Sequence, residues 1–164
     1  MFVSKDTAVV DFWELCRHRL AITETHYHAT SISDPAIATA TNEFLDLSDH
    51  TPLIRSGKKR GTAHLAIDFT LNRVPRRRPG DLWIVLDQLL MPISLVKVST
   101  VKTLPFNVVD SSWAEVEGEG NESLAFWREA HRQYYVEQCK LWNREWKEDS
   151  PVVLEAWDLL MNPV

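Results

Sequence analysis

Two runs of cations flank one short apolar segment of this 164-residue chain: Arg55, Lys58, Lys59 and Arg60 on one side, Arg73, Arg76, Arg77 and Arg78 on the other. The total charge is −5, yet it is unevenly spread. Residues 1–50 carry three Lys or Arg against eight Asp or Glu, residues 51–105 ten against three, and residues 106–164 five against twelve. The middle third is therefore a basic island between acidic flanks, suited to attract an anionic partner such as a phosphate backbone. His26-x-His28 would project both imidazoles from one side of an extended segment, and His18, His50, His64 and His131 add further nitrogens. No HExxH or CxxC pattern accompanies them, so no metal site is expected. Cys16 and Cys139 fall inside helix-like patterns and are expected as reduced, buried thiols.

These groups need elements to hold them. Val9, Phe12, Trp13, Cys16 and Leu20 recur at helical spacing, which predicts a first amphipathic helix over 7–20 capped by Asp6 or Thr7. Residues 23–33 lack a helical period and read as loop or short extended chain. Asp34-Pro35 is a helix-start pair, followed by Ile37, Ala40, Phe44 and Leu47 on one face. After the interruption at 49–52, a last turn from Pro52 to Ser56 reaches Gly57, suited to a left-handed cap. From Thr62 the period changes to two: Ala63, Leu65, Ile67, Phe69 and Leu71 alternate with polar positions, which predicts one half-buried strand through Leu71 with Thr62 opening its polar edge.

The segment RVPRRRPGD is expected as a loop, LWIVLD as a second strand, Ile93 to Val101 as a third and Pro151 to Leu160 as a closing one. Asn107 with Asp110 suggests a helix over 108–117, and Asn121 opens a long helix carrying Trp127, Tyr134, Tyr135, Leu141, Trp142 and Trp146. Strands interleaved with long helical insertions indicate α+β, one domain over 1–164, with residues 1–50 as a helical extension. No apolar run reaches membrane-spanning length and the N-terminus lacks a leader pattern, so a soluble, cytoplasmic protein without membrane contact is expected.

The stretch Ser56-Gly57-Lys58-Lys59-Arg60-Gly61-Thr62-Ala63-His64-Leu65 resembles the GxKxxT signature of the ASCH domain family, met at Gly57, Lys59 and Thr62. Pro79-Gly80-Asp81, the segment from Leu104 to Asp110, the run Ala114 to Gly120 with Ser123, Trp127-Arg128 and His131, and Asp149 to Glu155 continue the likeness in order. The resemblance covers residues 52–160. It implies a PUA-like small β-barrel of about five to six strands, decorated by α-helices around a cleft. It also implies one of three activities: amidohydrolysis of the N4-acyl group of N4-acetylcytidine, cleavage of single-stranded RNA, or RNA binding without catalysis.

Carried onto this chain, the family's amidohydrolase triad falls on Lys59, Thr62 and Glu117, with Glu115, Glu119 and Glu122 as neighbouring carboxylates. A Thr hydroxyl needs a base, and a Lys serves as one only if its pKa falls. Arg55, Lys58 and Arg60 are expected to push it down by like-charge repulsion. Glu117 then orients Lys59 or protonates the departing amine. Arg55, Lys58, Arg60 and Arg128 are candidates to bind substrate or RNA, Arg76, Arg77 and Arg78 to track an RNA backbone, Trp113 to stack on a base, and His131 to bind substrate or brace the cleft. No cofactor is needed, except a divalent metal in the ribonuclease reading. The expected partner is a cytidine-type nucleoside or single-stranded RNA. Two departures from the family pattern stand out: Gly61 where Ala is common, expected to loosen the loop holding Lys59, and His64 where Ser is expected.

Overall fold

The computed structural model describes residues 7–33 and 50–164. The predicted helix beginning at Asp34-Pro35 and the Asp6 cap lie outside them. In order, the described elements are α1 (Thr7–Leu20), β1 (His28–Ser31), α2 (His50–Arg55), β2 (Gly61–Leu65), α3 (Ala66–Leu71), β3 (Leu82–Leu86), β4 (Pro92–Pro105), α4 (Ser111–Glu117), α5 (Leu124–Leu141) and β5 (Pro151–Met161), with a 3-10 turn at Phe106–Val108.

The five strands form one mixed sheet in the order β1-β3-β4-β5-β2, β1 running parallel to β3 and every other pair antiparallel. LWIVL is buried at all five positions, as a run of apolar residues covered on both faces requires. On one face α1 contributes Val9, Phe12, Trp13 and Cys16 against Leu82, Ile84, Leu86 and Leu95. On the other, Trp83, Val85 and Val96 meet Ile54 and Trp157. A second core joins β2 and β5 to α4 and α5 through Leu65, Leu154, Phe106, Trp113, Trp127 and Tyr135. Register shifts in β4 near Leu95 and Val98 let the long strand bend, as bulges do, and the sheet curls into a half-barrel.

The two edge strands are tied across the curl by side chains. His64 Nε2 on β2 donates to the Ile32 carbonyl just past β1, at 2.8 Å. Arg77 grips Glu155 of β5 through Nε at 2.9 Å and Nη2 at 2.6 Å while its Nη1 donates to Thr30 Oγ1 of β1 at 3.1 Å.

Several boundaries differ from the sequence reading. The strand expected through Leu71 stops at Leu65 and is buried on both faces; residues 66–71 turn into α3. Asp68 explains the break. Its two oxygens accept from Asn72 Nδ2 and Gln138 Nε2, partners reached by a helical turn and not by an extended strand. The helix expected from Val108 begins at Ser111, because Asp110, and not Asn107, accepts from the Ser112 N–H as its cap. Similarly, Ser123 caps α5 in place of Asn121, and Trp142 and Trp146 lie beyond its end. Gly57 has φ +75°, in keeping with the left-handed cap, and Cys16 and Cys139 are free and buried.

Candidate active site

Lys59 reaches the site from the turn between α2 and β2, and Thr62 from the second position of β2. That turn is sewn to the end of α4: the Lys59 N–H donates to the Leu53 carbonyl, the Arg60 N–H to that of Val116, and the Trp157 N–H to that of Arg60, each at 2.9 Å. The carboxylates come from the other side. α4 ends at Glu117, and Gly118 caps it in the left-handed conformation at φ +62°. A Cβ on Gly118 would sit 2.5 Å from the Lys58 carbonyl oxygen, so the close approach of the two turns demands glycine here. Reversal at Gly118 brings Glu119 back beside Glu117.

The result is a buried ion cluster. Lys59 Nζ, 1% exposed, donates to Glu117 Oε2 at 2.9 Å and to Glu119 Oε1 at 2.5 Å. Glu117, equally buried, also receives the indole N–H groups of Trp113 and Trp127 on Oε1, both at 2.9 Å. His131 Nε2 stands 3.4 Å from Glu117 Oε2, its Nδ1 donating to the Trp127 carbonyl at 2.8 Å and its ring stacked on Trp127. His50 Nε2 approaches Glu119 Oε1 at 3.1 Å. Lys58 pairs outside the cluster with Glu122, while Glu115 is exposed. Of the carboxylates left open by the sequence, Glu117 and Glu119 therefore meet Lys59.

Burial favours the neutral amine of Lys59, but Glu117 and Glu119 outweigh it and raise its pKa. This corrects the expected depression: the side chains of Lys58 and Arg60 are exposed, and the nearest charges are negative. Burial likewise pushes Glu117 up, yet Lys59 and then His131 prevail and bring it from 4.5 to about 2. For Glu119, Lys59 and His50 overcome burial and hold the carboxyl well below its ordinary value. His131 is driven down by burial, which Glu117 and Glu119 together with the Trp127 carbonyl overcome, raising it. At neutral pH the resting pocket thus holds an ammonium, not a free amine.

Thr62, 5% exposed, shares with this cluster a pocket of about 50 Å³, whose walls include Ile32, Ser33, His50, His64 and Tyr134. Thr62 makes no side-chain hydrogen bond among the described residues. Gly61, rather than Thr62, opens β2, and a Cβ there would meet Val116 Cγ1 at 2.6 Å; the glycine accommodates tight packing and does not loosen the turn.

The recognition residues separate into two groups. Arg76 and Arg78 are exposed, but Arg77 is 1% exposed and its guanidinium lies over Trp83, so it cannot track a backbone; a bidentate carboxylate and an aromatic face hold it inward. Trp113 is 8% exposed and spends its indole N–H on Glu117, which removes it as a base-stacking platform. Arg128 donates to the Asn107 and Val109 carbonyls, bracing the chain before α4 and not the pocket. Arg55 and Arg60 are exposed. His28 pairs with Asp81, and among the described residues no three His, Cys, Asp or Glu side chains are grouped to hold a metal ion.

His50 and the two indole donors to Glu117 were missed at the sequence level. A signal existed for one of them: Trp113 lies one helical turn before Glu117.

An ASCH domain model matches residues 39–161. The chain belongs to the ASCH domain family, a PUA-like fold associated with RNA binding. The crystal structure of an ASCH domain from Lactobacillus crispatus JV V101 is similar at 24% identity with a TM-score of 0.75, covering 96% of both chains. A protein from Enterococcus faecalis V583 is similar at 19% identity with a TM-score of 0.76, over 94% of this chain and 89% of its own. No curated protein matches the chain in sequence. Among the described residues no helix is long and apolar enough to cross a membrane.

Proposed function

We propose that the pocket binds a cytidine-type nucleoside, free or within single-stranded RNA, and hydrolyses its N4-acyl amide. The observation that carries this reading is the convergence of a buried Lys59–Glu117 pair and an unbonded Thr62 hydroxyl on one pocket.

The resting ammonium becomes a base by passing one proton to Glu117. Ligand that fills the pocket and expels water favours the neutral amine and carboxylic acid over the ion pair. Lys59 then accepts the Thr62 proton as Oγ1 attacks the acyl carbon, a C–O bond forms, and the C–N bond breaks as Glu117 returns a proton to the departing N4 amine. Water, deprotonated by Glu117, hydrolyses the acyl-threonine. The alkoxide of Thr62 recovers a proton from Lys59, and the ion pair is restored. Trp113 and Trp127 hold Glu117 in one orientation throughout.

Incubating the protein with N4-acetylcytidine and resolving cytidine and acetate by chromatography tests this. Product is expected from the wild type and not from Thr62→Ala or Lys59→Ala; undiminished turnover in Lys59→Ala overturns the assignment.

A second reading, RNA binding without catalysis, is favoured by the pairing of Lys59 as an ammonium with Glu117 and Glu119 and by the exposure of Arg73, Arg76 and Arg78. It expects salt-sensitive RNA affinity and no product. Single-stranded RNA cleavage, with or without a divalent metal, instead yields fragments from an oligoribonucleotide.

A further inference from the structure

His64 holds a hydrogen-bond acceptor that no described residue uses. Its imidazole is 4% exposed and belongs to the wall of the pocket, two residues along β2 from Thr62 and so on the same side of the strand. Nε2 faces the Ile32 carbonyl at 2.8 Å. A carbonyl can only accept, so Nε2 carries a proton, and in the neutral imidazole Nδ1 keeps a lone pair. That Nδ1 is buried and has no partner among the described residues. Buried acceptors are nearly always satisfied, and tying β1 to β2 requires only Nε2.

Lys59 presents the complement. An ammonium has three N–H groups; Glu117 and Glu119 take two. The third has no partner among the described residues and is open to a carbonyl oxygen. We propose that His64 Nδ1 is a specificity-determining acceptor for an N–H of the ligand, working with the third Lys59 N–H as donor to an adjacent carbonyl. The pocket then selects groups that offer both, an N–H beside a C=O, as a secondary amide does, and disfavours the N-alkylated analogue. Failure to match the acceptor leaves His64 Nδ1 orphaned in the complex, which is the more discriminating half of the pair. This deepens the reading above and rests on this pocket being the ligand site, though not on the amide being cut.

Imidazole ¹⁵N spectra of the full chain test it, with N-methylacetamide, N,N-dimethylacetamide and N4-acetylcytidine as probes. The ligand-free protein should show His64 protonated at Nε2. N-methylacetamide and N4-acetylcytidine should shift the Nδ1 resonance, and N,N-dimethylacetamide should not. His64→Gln keeps an amide donor for the Ile32 carbonyl, so a purely structural role predicts full rescue. The recognition role predicts an unchanged melting temperature with affinity for the N–H probes about tenfold weaker. If N-methylacetamide moves Nδ1 while N4-acetylcytidine neither binds nor reacts, the hydrolase reading falls and the acceptor assignment stands. If no N–H probe perturbs Nδ1, or His64→Gln binds them as the wild type does, the assignment is overturned.

Discussion

Lys59 Nζ lies 2.9 Å from Glu117 Oε2, both side chains are 1% exposed, and 58 positions of sequence separate them. A contact of that kind costs much more to break than to replace, because removing one partner strands the other charge away from water. Lys59→Met leaves Glu117 and Glu119 facing each other without their shared cation, and it is expected to cost about 3–5 kcal/mol in urea unfolding. Lys58→Met provides the internal comparison. Its ion pair with Glu122 is 47% and 40% exposed, so water screens it and the loss should stay below about 1 kcal/mol. Equal effects at the two positions would show that the Lys59 cluster is solvated.

The same cluster sets the pH dependence. Glu117 is depressed from 4.5 to about 2 in the folded protein, burial being overcome by Lys59. Its contribution is therefore present above pH 4.5 and is lost as pH falls toward 2. His131 moves the other way, since burial is outweighed by Glu117 and Glu119 together with the Trp127 carbonyl, which raise it above 6.5. Its contribution is complete below pH 6.5 and disappears as pH rises through the folded value. From this cluster, stability is highest between about pH 4.5 and 6.5 and declines on both sides, as urea midpoints across a pH series would register. In His131→Gln the decline above pH 6.5 should vanish while the acid limb remains.

Arg77 illustrates why charge counts in the sequence overstate the nucleic-acid surface. RRR at 76–78 reads as one cluster, yet the loop turns the middle guanidinium inward to Glu155 and Thr30. Arg77→Lys retains charge but loses the bidentate fork, and a loss of about 3 kcal/mol is expected by thermal or urea unfolding, within the range for disrupted buried pairs. Arg76→Ala with Arg78→Ala should unfold within about 0.5 kcal/mol of wild type. If single-stranded RNA binds, that double variant should lower the salt slope of binding by up to about two. An unchanged slope would place the RNA contact elsewhere.

What the sequence disclosed divides along the range of the interactions involved. The α1 stripe, the LWIVL strand, the Gly57 cap and the closing strand depend on local periodicity, and each stands in the structure. The end of β2 was illegible because alternation over ten residues did not reveal Asp68, whose partners include Gln138, seventy positions away. The site behaves similarly. The GxKxxT turn and the EVEGEG run could be recognised separately, but the direction of the Lys59 pKa depends on Glu117 and Glu119 crossing to meet it, while Arg55, Lys58 and Arg60 stay at the surface. Likewise, no spacing rule joins His50 to Glu119.

Gly61 joins packing to the site. Its Cβ, were there one, would lie 2.6 Å from Val116 Cγ1, 3.1 Å from the Glu155 carbonyl oxygen and 3.2 Å from Trp113 Cζ2. Gly61→Ala must therefore displace Val116 and press on Trp113, an overpacking expected to cost about 1–3 kcal/mol. Because Trp113 donates to Glu117, the displacement should also loosen the carboxylate that holds Lys59. Val116→Ala alone removes two methyl groups from a partly buried side chain and is expected to cost about 1 kcal/mol. Combined, the two substitutions restore room, so the double variant should be more stable than the sum of the singles by about 1 kcal/mol or more. Urea unfolding of the four proteins measures that coupling, and strictly additive losses would mean that Val116 is not the atom group that keeps position 61 without a side chain.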